Sequence, residues 1–333
     1  MSTSTGGPDP ASPAQPQAPL PPTTPLGGTA GASTGRLGDR VFSGLSLAAG
    51  VLILVTLAGV ALFLTREAWP ALLADPSELP GEQSLLSYVR PLVYGTLVAA
   101  LLALLIATPL AIGIALFISH YAPRRAAQGL GYLVDLLAAI PSVIYGLWGI
   151  FWLAPKLVGA YRWLSDNLGF LPFFGDPTAT GRTMMTVGIV LAVMILPIMS
   201  AVYREIFLQT PRLHEEAALA LGATRWEMIR MTVFPYARSG LVSGAMLGLG
   251  RALGETLAVA LVLSAGGGIT LNLIAQSNPN TIAANIAQQF PESSGLDVNV
   301  LIATGLVLFV ITLAVNMTAR YLVGRRSEFS GAN

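Results

Sequence analysis

Six stretches of the chain are predominantly apolar, near residues 43–65, 92–119, 130–154, 183–203, 239–264 and 299–319. Each reaches the ~20 residues that carry an α-helix across ~30 Å of hydrocarbon. A segment in hydrocarbon finds no water for its amides, so it must satisfy them internally, and a helix does so. Only 11% of the 333 residues are charged, against about 25% in an ordinary soluble domain. The pattern predicts an all-α polytopic membrane protein with six transmembrane helices. The third stretch is interrupted by Asp135 and Pro141, and the fourth carries Pro197.

The membrane domain bounded by these stretches is 41–326. Before it, residues 1–40 hold eight prolines and almost no large apolar side chain. Such a segment cannot bury enough surface to offset its ordering entropy, which predicts a disordered tail. Its first apolar run starts too late to read as a signal peptide. Residues 327–333 form a short C-terminal tail. Twelve arginines (36, 40, 124, 125, 204, 212, 225, 230, 238, 320, 325 and 326) fall in segments on one side of the six spans. Arg66, Arg90, Lys156, Arg162 and Arg182 fall on the other, and loop 265–298 has no basic residue. The positive-inside rule then puts both termini in the cytoplasm of a multi-pass plasma-membrane protein.

Several chemistries are excluded. There is no cysteine, so there are no disulfides, thiolate metal sites or cysteine nucleophiles. His120 and His214 are the only histidines, which argues against a histidine-cluster metal site. The single lysine, Lys156, stands in WLAPKLV. A phosphate-binding P-loop needs G-x-x-x-x-G-K-[ST], so any ATP chemistry must come from a partner. No Ser–His or metal constellation suggests a hydrolase. We expect no catalytic residue and no bound cofactor or metal on this chain.

The longest inside segment, 204–240, reads as helix, turn, helix. Thr210 is placed to cap a helix with Pro211 at its first position. Gly222 suits the left-handed residue that ends one. Thr224-x-x-Glu227 has the form of a capping box opening a second helix, and Pro235 closes it. A hairpin over 211–235 would present a docking knob, with Ala217, Ala218 and Gly222 permitting close approach and Trp226 and Ile229 supplying area. A hairpin that merely stabilises the membrane domain is the plainer alternative.

Between Arg238 and Asp297 the only charges are Arg251, Glu255 and Glu292. Arg251 lies roughly 18 Å along a helix from Ser239 and about 20 Å from Ser264, too far for its side chain to reach either interface. A central charge costs about 2.5–3.5 kcal/mol on insertion scales. An i,i+4 pair of Arg251 with Glu255 would lower that cost. On a wheel of ~100° per residue, Gly240, Gly244, Gly248, Arg251 and Glu255 fall within about 80° of one another. The small-residue stripe would pack against a neighbour, with the charges on the same face. Arg251 then reads as an anion site on a translocation path, its planar fork suited to phosphate or carboxylate oxygens. Glu255 would hold Arg251 in the empty state or accept a hydrogen bond from a protonated oxyanion. A structural ion pair is the alternative. Pro141 removes a donor from the helical ladder, and Ser142 beside it could line the path. Asp135 is expected to pair with Arg124 or Arg125. Asn278-Pro279 begins a short amphipathic helix, with Ile282, Ile286 and Phe290 on one face, expected at the outer membrane surface.

EEAALALGATRWEMIRMTVFP resembles the EAA loop of ABC-importer permeases: Glu216-Ala217-Ala218, three residues, Gly222, nine residues, then an apolar ending at Pro235. Thr232 stands where that pattern usually has Ile. LGLGRALGETLAV is similar to the fifth-helix signature of phosphate-specific (Pst) permeases. DLLAAIPSVIYGLWGIFWLAPKL resembles their C-type (PstC-like) subunits, and NTIAANIAQQF also fits. The resemblance covers about residues 40–325. It implies a type I ABC-importer permease fold whose EAA coupling helix, with Glu215, Glu216, Ala217, Ala218, Gly222, Trp226 and Pro235, enters a groove of the ATPase. It implies import of inorganic phosphate together with a homologous permease subunit (PstA-like), a dimeric ATPase (PstB-like) that binds ATP and Mg, and an external phosphate-binding protein (PstS-like). Nucleic acid is not an expected partner; membrane lipid is. A permease for another oxyanion, such as molybdate or sulfate, and a self-sufficient channel or secondary transporter are the alternatives.

Overall fold

The computed structural model describes residues 34–327 apart from Gly267, with side chains over 38–321. The expected tail therefore lies mostly outside the described residues, although a helix already begins at Thr34, and residues 328–333 lie outside them too. The elements are α1 (Thr34–Leu73), α2 (Leu85–Leu116), α3 (Arg124–Ala138), α4 (Ser142–Trp148), α5 (Ala154–Leu168), α6 (Met184–Leu208), α7 (Arg212–Ala220), α8 (Arg225–Met228), α9 (Phe234–Leu253), α10 (Leu257–Val262), α11 (Ile282–Gln289) and α12 (Leu296–Ser327). π-Helical turns follow α2 (Phe117–Tyr121), α4 (Gly149–Leu153) and α8 (Ile229–Val233). The chain divides into two units, 1–56 and 57–333. Within the first, the described part of α1 exposes Val41, Phe42, Leu45, Leu52 and Ile53. All the other helices belong to the second.

Among the described residues, five helical stretches are long and apolar enough to cross a membrane: Gly38–Leu73, Leu85–Tyr121, Ser142–Leu168, Met184–Leu208 and Leu296–Tyr321. Two expected spans come out differently. The third, 130–154, is split: α3 stops at Ala138 and α4 starts at Ser142. Pro141 supplies no amide and pushes the residue before it away from helical angles. The membrane-length stretch is displaced to 142–168. The fifth, 239–264, is also split, because α9 ends at Leu253 and α10 covers only Leu257–Val262. In contrast, α6 runs unbroken through Pro197.

The core of the second unit is built on α6, whose Val190, Leu191, Ile195, Met199, Tyr203 and Phe207 are fully buried. On one side it meets α2 through Ala99, Ala103, Ala107, Ala111 and Ala115, one small residue per turn. On the other it meets the glycines of α9. Cβ atoms on Gly240, Gly244 and Gly248 would strike Ile206, Tyr203 and Met199 at 2.7, 2.5 and 2.6 Å. Lipid offers no hydrophobic drive between helices, so close van der Waals approach along small residues holds them together.

Opposite the 204–240 end, the loops before α6 and after α10 are joined by backbone bonds, Thr178 N to Ile274 O and Leu273 N to Phe173 O, both at 2.9 Å. The expected helix after Asn278 is present as α11, but it is packed inward. Ile282, Ala284 and Asn285 are buried, the Ile282 amide donates to Thr96 Oγ1 of α2, and Phe290 is left exposed.

Candidate functional site

The two split helices meet. A Cβ on Gly146 of α4 would lie 2.9 Å from Ala258 Cα and 3.0 Å from Leu261 Cδ1; one on Gly149 would lie 2.9 Å from Val262 Cγ2. Contacts rise together along both chains, so α4 and α10 run side by side in the same direction. Their starts, the breaks at 139–141 and 254–256, lie within about a helical turn of each other. Irregular backbone at membrane depth is tolerated only inside protein or along a water-filled cavity.

Arg251 sits in the last turn of α9 and is exposed, as are Gly250, Gly254 and Leu257. A cation there complements the carbonyl end of the helix. Glu255 is half-buried in the break, and its Oε1 accepts the Ala258 amide at 3.1 Å, capping α10. The expected Arg251–Glu255 pair is therefore absent. It needs a continuous turn between the two residues, and the helix ends at Leu253. Nor do the charges share the glycine face. The buried line continues from Gly244 and Gly248 to Ala252, while Arg251 stands beside it in the open. Among the described residues the ion pairs are His120–Glu215 and Arg204–Glu205, so the expected Asp135 pair with Arg124 or Arg125 is also absent, and Asp135 is exposed.

Ser142 is half-buried as the first residue of α4. One turn on, Tyr145 donates its hydroxyl to Leu137 O at 2.9 Å, satisfying a carbonyl of the α3 end, and it stands within electrostatic reach of Arg251. The far end of α10 is held by Arg182. Its guanidinium donates to the carbonyls of Leu261, Val262 and Leu263 at 3.2–3.4 Å, the last acceptors of that short helix.

The second candidate region is the hairpin of α7 and α8. α7 ends in a left-handed Gly222 at φ +87°, with Gly222 N bonded to Leu219 O and Ala223 N to Ala218 O. This is the Schellman arrangement. Thr224 and Glu227 form the complete capping box. The backbone N–H and then the hydroxyl of Thr224, donating to Glu227 Oε2 at 2.8 and 2.7 Å, hold that carboxyl below the usual carboxylate range. Three expectations fail here. Thr210 does not cap α7; its hydroxyl is buried with no partner among the described residues, and Pro211 precedes the helix instead. Pro235 does not close the second helix, which continues from α8 through the π turn 229–233 into α9. The wider turn absorbs the proline's missing donor. Ile229 and Ala218 face the core, 1% and 9% exposed. The open face carries Glu216, Ala217, Trp226 and two residues the sequence did not single out, Leu213 and Leu221, the latter 90% exposed.

Beneath the hairpin, His120, Phe207, Phe234 and Trp226 stack edge to face in series, with centroids 6.5, 6.1 and 6.2 Å apart. They join the ends of α2, α6, α9 and α8. Glu215 turns inward to this series, its Oε1 3.5 Å from His120 Nε2. Sequence reasoning missed His120 and Arg182 because their partners lie far along the chain, and Tyr145 because its partner Leu137 O comes within reach only across the break at 139–141. The one available signal was a histidine and a lone loop arginine at the ends of apolar runs.

Residues 107–328 match the family described as binding-protein-dependent transport system inner membrane component. The chain is 46% identical over 302 residues to the phosphate transport system permease protein PstC 2 of Mycobacterium tuberculosis, covering 87% of this chain and 93% of that protein. It is 39% identical over 309 residues to PstC of Mesorhizobium japonicum, covering 89% and 93%. Among solved structures, a bacterial ABC transporter that imports the acidic polysaccharide alginate matches with a TM-score of 0.58 at 19% identity, over 86% of this chain and 96% of that one. This likeness speaks for the fold alone.

Proposed function

This chain belongs to the binding-protein-dependent transport system inner membrane component family, and from that premise we propose that it is the C-type transmembrane subunit of an ATP-driven importer of inorganic phosphate. In this reading α9 and α10 together make the fifth of six crossings, both termini are cytoplasmic, and a homologous permease covers the open face around Arg251. ATP and Mg act on a partner ATPase, and a phosphate-binding protein delivers the substrate from outside.

The observation that carries the reading is the juxtaposed pair of helix breaks beside an Arg251 that has no carboxylate partner among the described residues. An unpaired arginine at that depth is costly, and a passing oxyanion would neutralise it through bidentate donation. Glu255 spends one oxygen on the α10 cap. Its second oxygen can accept a hydrogen bond from the P–OH of hydrogen phosphate, a donor that fully ionised sulfate lacks. Ser142 adds a hydroxyl at the neighbouring break.

The hairpin supplies the coupling. Leu213, Leu221 and Trp226 offer exposed apolar area, with Glu216 and Ala217 alongside and Gly222 fixing the turn. Closure of the ATPase moves the hairpin, and the aromatic series that runs inward from Trp226 passes that motion to α2, α6 and α9. The test is the complete complex in liposomes, assayed for phosphate uptake and phosphate-stimulated ATP turnover. Arg251→Gln is expected to abolish uptake while leaving assembly intact. Uptake at the wild-type rate would reduce the arginine to a structural residue, and stimulation by molybdate or sulfate instead of phosphate would reassign the substrate.

A further inference from the structure

The two adjacent glutamates of the hairpin have opposite surroundings. Glu216 is exposed, whereas Glu215 is half-buried against His120 at the end of α2. Among the described residues this is the one ion pair that ties the hairpin to another element. α6 and α9 are joined to the hairpin by the chain itself. α2 is not; its chain neighbour is α3.

The π turn Phe117–Tyr121 sets the geometry. Ser119 Oγ donates to Ala115 O at 2.7 Å and lies 2.7 Å from His120 Nδ1. A hydroxyl has one proton, so with that proton on Ala115 O the second contact is Nδ1–H donating to Oγ. Nε2 then faces the Glu215 carboxylate at 3.5 Å. A neutral ring would turn a lone pair toward a carboxylate there; an imidazolium turns an N–H. The ring also rests edge to face on Phe207, which fixes its plane.

We propose that His120 is a positioning residue for coupling: as a cation oriented by Ser119 and Phe207, it holds Glu215 and so fixes α7 to the inner end of α2. The inference rests on the reading of α7–α8 as the ATPase contact. It divides the labour between the glutamates: Glu216 looks outward to a partner, and Glu215 inward to the transport helices. α2 is the helix that, some 24 residues or roughly 36 Å away, accepts the Ile282 amide on Thr96, and whose first turn meets α11 through Tyr88, which accepts from Asn285 and donates to Gln289. The latch therefore brings a helix with contacts at both ends into register with the hairpin.

The experiment uses the whole reconstituted complex and reads phosphate taken up per ATP hydrolysed. A wild-type complex with no phosphate-stimulated turnover would sink the transport reading, separately from the latch. With coupling established, His120→Phe keeps the ring contact with Phe207 but removes both donors, and Glu215→Gln removes the carboxylate. Each is expected to lower phosphate per ATP by roughly fivefold or more, the lower bound of ordinary site-to-site coupling. The double variant is expected to be no worse than the worse single, since both changes break one contact. His120→Lys, which keeps a cation, is expected to recover part of the ratio. A wild-type ratio in His120→Phe, or losses that multiply in the double variant, would overturn the proposal. Should His120→Phe fail to assemble, Glu215→Gln alone decides on the same criterion.

Discussion

Gly146 offers a quantitative test of the paired half-helices. Replacing it with alanine puts a methyl 2.9 Å from Ala258 Cα, a backbone atom, and 3.0 Å from Leu261 Cδ1, a mobile side-chain end. Leucine can rotate away; the α10 backbone cannot, so α4 and α10 must separate by about half an ångström to reach ordinary contact. Overpacking of this kind costs about 1–3 kcal/mol. Alanine also gains about 1 kcal/mol of helix propensity over glycine, which would obscure the effect in a single variant. Gly159→Ala in α5 supplies the control, because nothing lies within 4 Å of its added Cβ. The propensity gain is common to both, so their difference isolates the overpacking at about 1–3 kcal/mol. The assay is reversible denaturation of the purified complex in mild detergent, followed by uptake in liposomes. Gly146→Ala should be the less stable variant and the slower transporter, because it shifts both breaks, while Gly159→Ala should transport normally. Equal stability of the two would mean that α4 and α10 do not meet through Gly146, and the paired-break geometry would be wrong.

Other outcomes are expected. Arg182→Gln removes the donors to three carbonyls at the end of α10; a charged hydrogen bond contributes about 1.5–3 kcal/mol, so amide exchange in 257–264 should speed up well before the rest of the core. Gly222→Ala forces a side chain into φ +87° at about 1–2 kcal/mol, and should loosen the hairpin and reduce ATPase co-purification without altering the membrane helices. The capping box has a pH signature. Glu227 is held below the ordinary carboxylate range by Thr224, so its contribution is complete above the unfolded-state carboxylate pKa and disappears as pH falls through the lower folded value. Hydrogen exchange at 224–228 should therefore rise selectively in acid, and Thr224→Ala should remove that pH dependence.

Much of this protein was legible in the chain. Local rules acted where partners are local: the left-handed glycine at 222, the Thr224–Glu227 box, the helix break forced by Pro141, and the small-residue stripe of Gly240, Gly244 and Gly248 all depend on neighbours a few residues away. The apolar runs located four of the membrane-length helices because hydrocarbon length is a property of a segment; the other two runs are broken in the structure. Tertiary structure decided what the periodic wheel could not. A wheel assumes a continuous helix, and the chain ends one at Leu253, so Arg251 and Glu255 part and the glutamate becomes a cap for α10. A proline that ought to stop the hairpin is absorbed by a π turn, because the backbone can widen where packing favours a continuous rod. His120 beside Glu215, and Arg182 beneath α10, bring together residues 95 and about 80 positions apart. Spacing along a chain fixes which face a residue takes on its own helix; which distant charge waits there is set only when the helices pack.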